Sequence, residues 1–450
     1  MNNNSNGKMV KKVVIASLIG ATIEWYDFFL YGTTAAIVFN VLYFPSDDPF
    51  ISLLLAYTVF AVGFIARPFG GLIFGHYGDK IGRKTMLIIT LMIMGTATVL
   101  IGLLPTYAQI GIWAPIILLF LRVCQGIGLG GEWGGAVLMI YEYAPKESRG
   151  FYGSLPQLGL SIGLVLASGM LGLLSTILDS QQFLKYGWRI AFILSIVLVA
   201  VGLWIRLHIL ETPEFQKVKD AKKVVKIPIK EVLGKYLGNT IAGMGARYID
   251  GVAFNIYSVW IIGYLTSTVH ISRSHAFNAV MAAALIMCFC IPLFGHLSDR
   301  FGRTKVYFWG SLFTGLATFP ALWLIATSAG NLSIIWLSII IPFGIFYASV
   351  YGPEAPLFCE LFPVRVRYSG ISFVYQFSGI FASGLTPIIA AWIYKVSGGN
   401  VMMVAAYVAF SGLVSAFSAY WIRKRIKVIE DVEVTSTEEK ASNASAAGSY

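Results

Sequence analysis

GHYGDKIGRK, from Gly75 to Lys84, and GHLSDRFGRT, from Gly295 to Thr304, are two copies of one stretch, set in opposite halves of the chain. Each copy follows one long apolar run and leads into another, so each reads as a connecting loop. A second pair keeps nearly the same separation. Glu142, Pro145 and Arg149 recur as Glu360, Pro363 and Arg367, with their mutual spacing unchanged. Two signatures at nearly one offset make the chain two similar halves in tandem. In a membrane chain, such halves place a solute site between them.

The surroundings of the motif are those of a membrane protein. The 450 residues are 57% hydrophobic and 12% charged, against roughly 25% charged in a soluble domain. About twelve apolar segments approach the ~20 residues that span a bilayer. This predicts an all-α membrane protein of twelve transmembrane helices in two six-helix bundles, residues 11–209 and 237–425. Residues 1–10 and 426–450 are polar and read as disordered. Residues 210–236 form a lysine-rich connector, broken by Pro213 and Pro228. The first apolar run contains Glu24 and Asp27 and exceeds the ~7–15 residues of a signal-peptide core. No segment has room for a soluble catalytic or nucleotide-binding domain, so neither an enzyme nor a cofactor is expected.

The net charge of +11 raises the possibility of a nucleic-acid partner, but its placement argues against one. When connections are counted from a cytoplasmic N-terminus, nearly all the loop lysines and arginines fall on the inside. Lys185, Arg189, Arg273 and Lys395 remain outside. This is the positive-inside asymmetry of a multi-pass protein of the cytoplasmic membrane with both termini inside. The basicity serves topology and the lipid surface. Cys124, Cys288, Cys290 and Cys359 match no metal-site spacing, and no metal site is expected.

Eight ionisable residues fall well inside the spans: Glu24, Asp27, Arg67, Arg122, Glu132, Arg247, Asp250 and Glu354. At ~2.5–3.5 kcal/mol each near the bilayer centre, the set would cost about 20–28 kcal/mol facing lipid. These residues must therefore face the bundle interior, where they serve either as structural ion pairs or as a path for a polar solute and protons. Glu24 and Asp27 are three residues apart on one helix face. Two carboxylates in a low dielectric do not both ionise cheaply, so one is expected to hold a proton. Asp27 is favoured over Glu24 as the proton-coupling group because it lies deeper, about 21 Å along the helix at 1.5 Å per residue. Arg247 and Asp250 keep the same spacing at the corresponding place in the second half, as a structural bridge or as an anion clamp. In RVCQGIGLGGEWGGA, from Arg122 to Ala136, the helical period puts Arg122, Gln125 and Glu132 in one polar stripe. Arg122 and Gln125 are candidate substrate contacts, and Glu132 is a further candidate for the proton path. Tyr31, Tyr375 and the adjacent Gln376 join the candidate substrate contacts. Gly126, Gly128 and Gly131 fit G-x-G-x-x-G, but inside a span they have no strand–turn–helix context and serve helix packing instead.

The duplicated stretch resembles the G-x-x-x-D-[RK]-x-G-R-[RK] signature of the major facilitator superfamily. EWYDFFLYG at 24–32, RPFGGLIFGHYGDKIGRK, QGIGLGGEWGGA, APKESRGFYGS and WRIAFILS together resemble its metabolite:proton symporter family across nearly the whole chain. The resemblance implies a secondary transporter, most similar to the shikimate-like branch, that imports a small organic acid with protons and functions as a monomer. It also implies cytoplasmic gates formed by Gly75, Asp79, Arg83 and Arg149 with Asp299, Arg303 and Arg367, the aspartates bridging to Arg149 and Arg367. Two other transport readings are a proton-coupled proline/betaine symporter and an exporter working by antiport. Such exporters usually carry a Gly-Pro pair in the fifth span, which LPQLGLSIGLVLASGM lacks. Osmosensing relatives often end in a coiled coil, and this tail has no heptads. A receptor that binds without flux is the non-carrier reading, opposed by gate motifs in both halves.

Overall fold

The computed structural model describes residues 3–81, 83–130, 133–208, 228–363 and 366–447. Every regular element among the described residues is helical. Ten helices among them are long and apolar enough to cross a membrane. Asn3–Thr34 and Arg83–Leu103 take the first and third of the twelve expected places, the latter with a shorter apolar part, Ile88–Leu103. Burial is inverted relative to a soluble protein. Phe69, Trp113, Phe120, Trp204, Phe289, Trp309 and Phe417 point outward, with Phe289 77% exposed, while Asp27, Arg122, Arg247 and Glu354 are buried. The apolar surface is what a bilayer solvates, and the interior is where the charges escape it.

In the first half, Asn3–Thr34 packs against Leu158–Ile177 and Trp188–His208, and Pro49–Ile81 packs against Trp113–Leu129. That last contact explains the glycine-rich stretch. A Cβ on Gly126 would collide with the carbonyl of Gly63, and one on Gly130 with that of Arg67. Only backbone-to-backbone approach fits there. In the second half, Arg303–Thr327 and Leu237–Asn255 both pack against Val401–Ala447. The halves meet where Leu158–Ile177 lies on Arg273–Phe301, and where Pro49–Ile81 lies on Arg367–Gly379. These are the fifth helix with the eighth and the second with the eleventh. Exchanging the halves turns one seam into the other, as a duplicated fold requires.

Two expectations need correction. The repeated stretch is helical, not a loop. In the second copy Arg273–Phe301 carries GHLSDRF, Gly302 alone turns the chain at φ 93°, and Arg303–Thr327 begins at once. The positive φ is the left-handed conformation that favours glycine. In the first copy, Pro49–Ile81 and Arg83–Leu103 leave only residue 82 between them. The side chains of Gly75, Asp79 and Arg83 lie outside the described ones. Secondly, the first and last helices, Asn3–Thr34 and Val401–Ala447, take in most of the two ends that composition assigned to disorder. Each extends a helix already nucleated in the bundle, and further turns add a hydrogen bond per residue. The spans are also not uniform α-helix. Short π-helical segments interrupt them at Ala35–Phe39 and at the matching Ile256–Trp260, with a longer one at Ile340–Phe346. Such segments concentrate at functional sites. Most of the 210–236 connector lies outside the described residues, and its end forms the helix Pro228–Gly234.

Candidate functional site

Three helices of the first half converge on one hydrogen-bonded line. Arg122 Nη1 donates to Gln125 Oε1 at 3.0 Å, and Gln125 Nε2 donates to Thr98 Oγ1 at 2.7 Å. The Thr98 hydroxyl stands 3.0 Å from Asp27 Oδ2. The first two residues come from Trp113–Leu129, Thr98 from Arg83–Leu103 and Asp27 from Asn3–Thr34. All four are buried. The Arg122 guanidinium lies 4.3 Å over the Tyr31 ring, and its Nε has no partner. Asp27 Oδ1 and the Tyr31 hydroxyl also have none. A cation and a carboxylate are thus joined through neutral groups, and each keeps polar atoms free for something else. Glu24 is buried on the same helix and lies in the field of Arg67, whose guanidinium sits 4.5 Å over Phe64. The two carboxylates of the first helix therefore face different cations.

The second half gathers Arg247 and Asp250 from Leu237–Asn255 with Glu354 from Tyr347–Glu360. Arg247 Nη2 is 3.5 Å from Asp250 Oδ2, and Arg247 Nε is 4.0 Å from Glu354 Oε1. Tyr347 donates its hydroxyl to Asp250 Oδ1 at 2.6 Å. The guanidinium lies 3.8 Å over the Tyr375 ring, which stacks on Trp133 of the first half at 3.6 Å and 11°. Beside this stack, Gln376 Nε2 donates to the carbonyl of Gly130 at 2.9 Å. Trp133 is held by Gln157, which also reaches the carbonyl of Tyr351 across the seam. A second aromatic layer joins the halves where Trp25 and Phe29 meet Phe254, at 5.5 and 5.0 Å. The hydroxyls of Tyr351 and Tyr375 and Gln376 Oε1 are buried without partners. Native interiors rarely leave such groups unsatisfied, so these polar atoms are available to a bound solute.

Contacts between the halves stand at both ends of this centre. On the expected cytoplasmic side, Asp299 accepts from the backbone N–H groups of Gly150 at 2.7 Å and Phe151 at 2.9 Å. Arg303 pairs with Asp299 at 3.2 Å and also with Glu360. At the other end Lys395 pairs with Asp48 at 3.2 Å, and Thr176 bonds Ser274 at 2.6 Å. The Phe50 backbone N–H, and after it the Lys395 ammonium, hold the Asp48 carboxyl below its ordinary range. Asp299 does not reach the Arg149 side chain expected for it. Arg149 instead lies 4.3 Å over Tyr141, and the Arg367 guanidinium lies 5.4 Å from the same ring.

The structure brings Asp27, Arg122, Gln125 and Tyr31 together in one half, and Arg247, Asp250 and Tyr375 in the other. Glu132 lies outside the described residues. Thr98, Trp133, Tyr347 and Glu354 complete the site without having been assigned to it. Of these Glu354 carried the clearest signal, a carboxylate inside an apolar span. A threonine or tyrosine in such a span is unremarkable until its neighbours are known.

The sequence family described as "Sugar (and other) transporter" matches residues 12–232, and the one described as "Major Facilitator Superfamily" matches residues 236–445. The shikimate transporter of Escherichia coli strain K12 is 40% identical over 412 residues, covering 91% of this chain and 93% of that protein. The proline/betaine transporter of the same strain is 36% identical over 422 residues, covering 91% and 83%. The crystal structure of a D-xylose-proton symporter superposes with a TM-score of 0.71 at 17% identity, covering 92% of this chain and 97% of that one.

Proposed function

From membership of the major facilitator superfamily, to which this chain belongs as a multi-pass cell-membrane transporter of small molecules, we propose that it imports a small organic acid together with protons. It is a transporter and not an enzyme. The observation that carries the substrate class is the line from Arg122 through Gln125 and Thr98 to Asp27. A buried guanidinium that lacks a direct carboxylate partner suits an incoming carboxylate, which it can bind in planar, two-point fashion. Its cost of burial is then offset only when the solute is present, so the solute favours the closed centre.

The proton reading rests on Asp27. When the carboxyl is ionised it attracts Arg122 through the intervening amide and hydroxyl. When it is protonated, Arg122 is released to the anionic solute. Solute and proton therefore favour one another's binding, which is the linkage that symport requires. The halves then rock about the fixed centre, with the Asp299 contacts opening inward and the Asp48–Lys395 pair opening outward. Proline/betaine symport is the second reading, favoured by the 36% relative and by the excess of carboxylates around Arg247.

Uptake of labelled shikimate, 2-oxoglutarate, citrate, proline and betaine into proteoliposomes, with and without an inward proton gradient, tests both readings. Gradient-driven accumulation of an acid is the expected result. Accumulation of betaine and none of the acids moves the assignment to the second reading, and uptake indifferent to the gradient removes the proton.

A further inference from the structure

Glu354 is a carboxylate for which the fold has a place but the symport reading has no role. It sits in YGPEAPLF on Tyr347–Glu360 and is fully buried. Its surroundings offer an anion very little. Oε1 accepts no hydrogen bond and stands 4.0 Å from Arg247 Nε. Oε2 has the Tyr307 hydroxyl at 3.5 Å, but that hydroxyl lies 2.9 Å from the carbonyl of Ala246 and is committed there. Asp250 is served far better, by Tyr347 at 2.6 Å and by Arg247 at 3.5 Å. Of two carboxylates competing for one guanidinium, Asp250 has the pair.

Counting charge leads to the same place. The groups facing Glu354 are Arg247, Asp250 and the phenols Tyr307, Tyr347, Tyr351 and Tyr375. Across the seam Arg67 also faces this cluster and is balanced by Glu24. Asp27 is balanced by Arg122. With every described buried acid ionised, the centre would carry one uncompensated negative charge in a low dielectric, which a bound proton removes.

We propose that Glu354 is a second proton-binding site, separate from Asp27, that holds its proton while the centre is closed and releases it when its helix, Tyr347–Glu360, moves. This rests on the reading of the chain as a proton symporter. Pro353 and Pro356 flank the residue and remove the N–H groups that would bond the carbonyls of Ser349 and Gly352, so the helix can bend at the carboxyl. The same segment forms the seam. Pro356 lies against Gly153 of the short helix Arg149–Ser154 in the first half, and the Tyr351 carbonyl takes a hydrogen bond from Gln157. Parting the inner seam therefore moves Glu354. Its O–H bond breaks, the proton passes to water entering from the cytoplasmic side, and the electron pair stays on the carboxylate. That anion is then free to take the Nε–H and Nη1–H of Arg247, both unpartnered in the closed centre. Reprotonation from outside, when the outer mouth opens, completes the balance of one proton moved per cycle at this site.

Infrared difference spectra of the purified full chain, taken across a pH titration in H2O and D2O, test the site without a known solute. A carboxylic-acid carbonyl band that shifts in D2O is expected, with one component lost in Glu354→Gln and retained in Asp27→Asn. A spectrum unchanged by Glu354→Gln overturns the proposal. If that variant does not fold, Tyr307→Phe is to shift the same component, and an unmoved band is equally fatal. In proteoliposomes carrying a pH dye, with shikimate as the probe, Glu354→Gln is expected to move one proton fewer per solute than the wild type. An unchanged ratio in a variant that still transports also overturns the site. A wild type that moves no proton with any solute removes the symport reading, while the infrared band still decides whether Glu354 holds a proton.

Discussion

Where the first helix carries Glu24 and Asp27, the seventh carries Arg247 and Asp250 at the matching positions, and the two sites were completed in different ways. In the first half the carboxylate and the guanidinium stand apart, joined by Gln125 and Thr98. In the second they are in direct contact, and a further carboxylate, Glu354, crowds the same cation. One scaffold thus holds a cation with free valence and, opposite it, an acid with too few partners. The fold needs the symmetry for its two equivalent seams, whereas the proposed symport needs the asymmetry, since identical half-sites would give no distinction between solute and proton.

The comparison is broken most severely at Arg122. Arg122→Ala removes the buried cation that faces Asp27 through Gln125 and Thr98 and that an anionic solute would meet. Uptake is expected to fall by at least ~100-fold, measured as initial rate at matched membrane expression. Arg122→Lys sharpens the test. It keeps the charge but not the planar fork, so it is expected to retain some uptake with a raised KM. Normal uptake in the alanine variant would remove Arg122 from the site.

Next in size is Asp27→Asn. The amide oxygen can still accept from Thr98, but the side chain can no longer cycle a proton. Accumulation against a gradient is expected to vanish while exchange of labelled for unlabelled solute persists. Glu24→Gln is the control on the same helix face. If it loses accumulation and Asp27→Asn keeps it, the two carboxylates have exchanged roles.

Much of this is legible in the residues alone. The duplicated motif implies two halves, and the three-residue spacing places Arg122 beside Gln125, because residues on one helix have fixed angular relations. The same spacing pairs Arg247 with Asp250. What cannot be read is any relation between helices. Asp27 to Thr98, Glu354 to Arg247 and Tyr375 on Trp133 depend on which spans are neighbours and how deep each sits. The misread loop has a local cause. Gly, Asp and Lys signal a turn, but here one glycine suffices for it and the polar residues stay helical at the membrane edge.

Asp299→Asn probes the inner closure and not the centre. A single amide oxygen cannot serve both Gly150 and Phe151 as the carboxylate does, and the charge that pairs with Arg303 is lost. Removing one charge-assisted hydrogen bond costs about 1–3 kcal/mol of the inward-closed state. Turnover is expected to change several-fold, with solute affinity within about twofold of the wild type. A variant that binds weakly yet cycles at the normal rate contradicts the separation of gate from site.

The smallest effect belongs to the outer pair, and it tests whether the two closures are of equal weight. Asp48 and Lys395 are both about half exposed, so the contact is screened and competes with water. Lys395→Ala is expected to alter initial uptake by no more than about twofold. The pH dependence has a definite sign. The Phe50 N–H and Lys395 hold the Asp48 carboxyl below its ordinary value, so the pair is intact above the usual carboxylate range and is lost as pH falls through that lowered value. The wild-type and Lys395→Ala rates should therefore keep a constant ratio down to about pH 4 and converge only below it. A tenfold effect at neutral pH would make the outer pair a main lock, equal to the buried Asp299 contacts. In that case the asymmetry between the two mouths would be wrong, even though that between the two halves could stand.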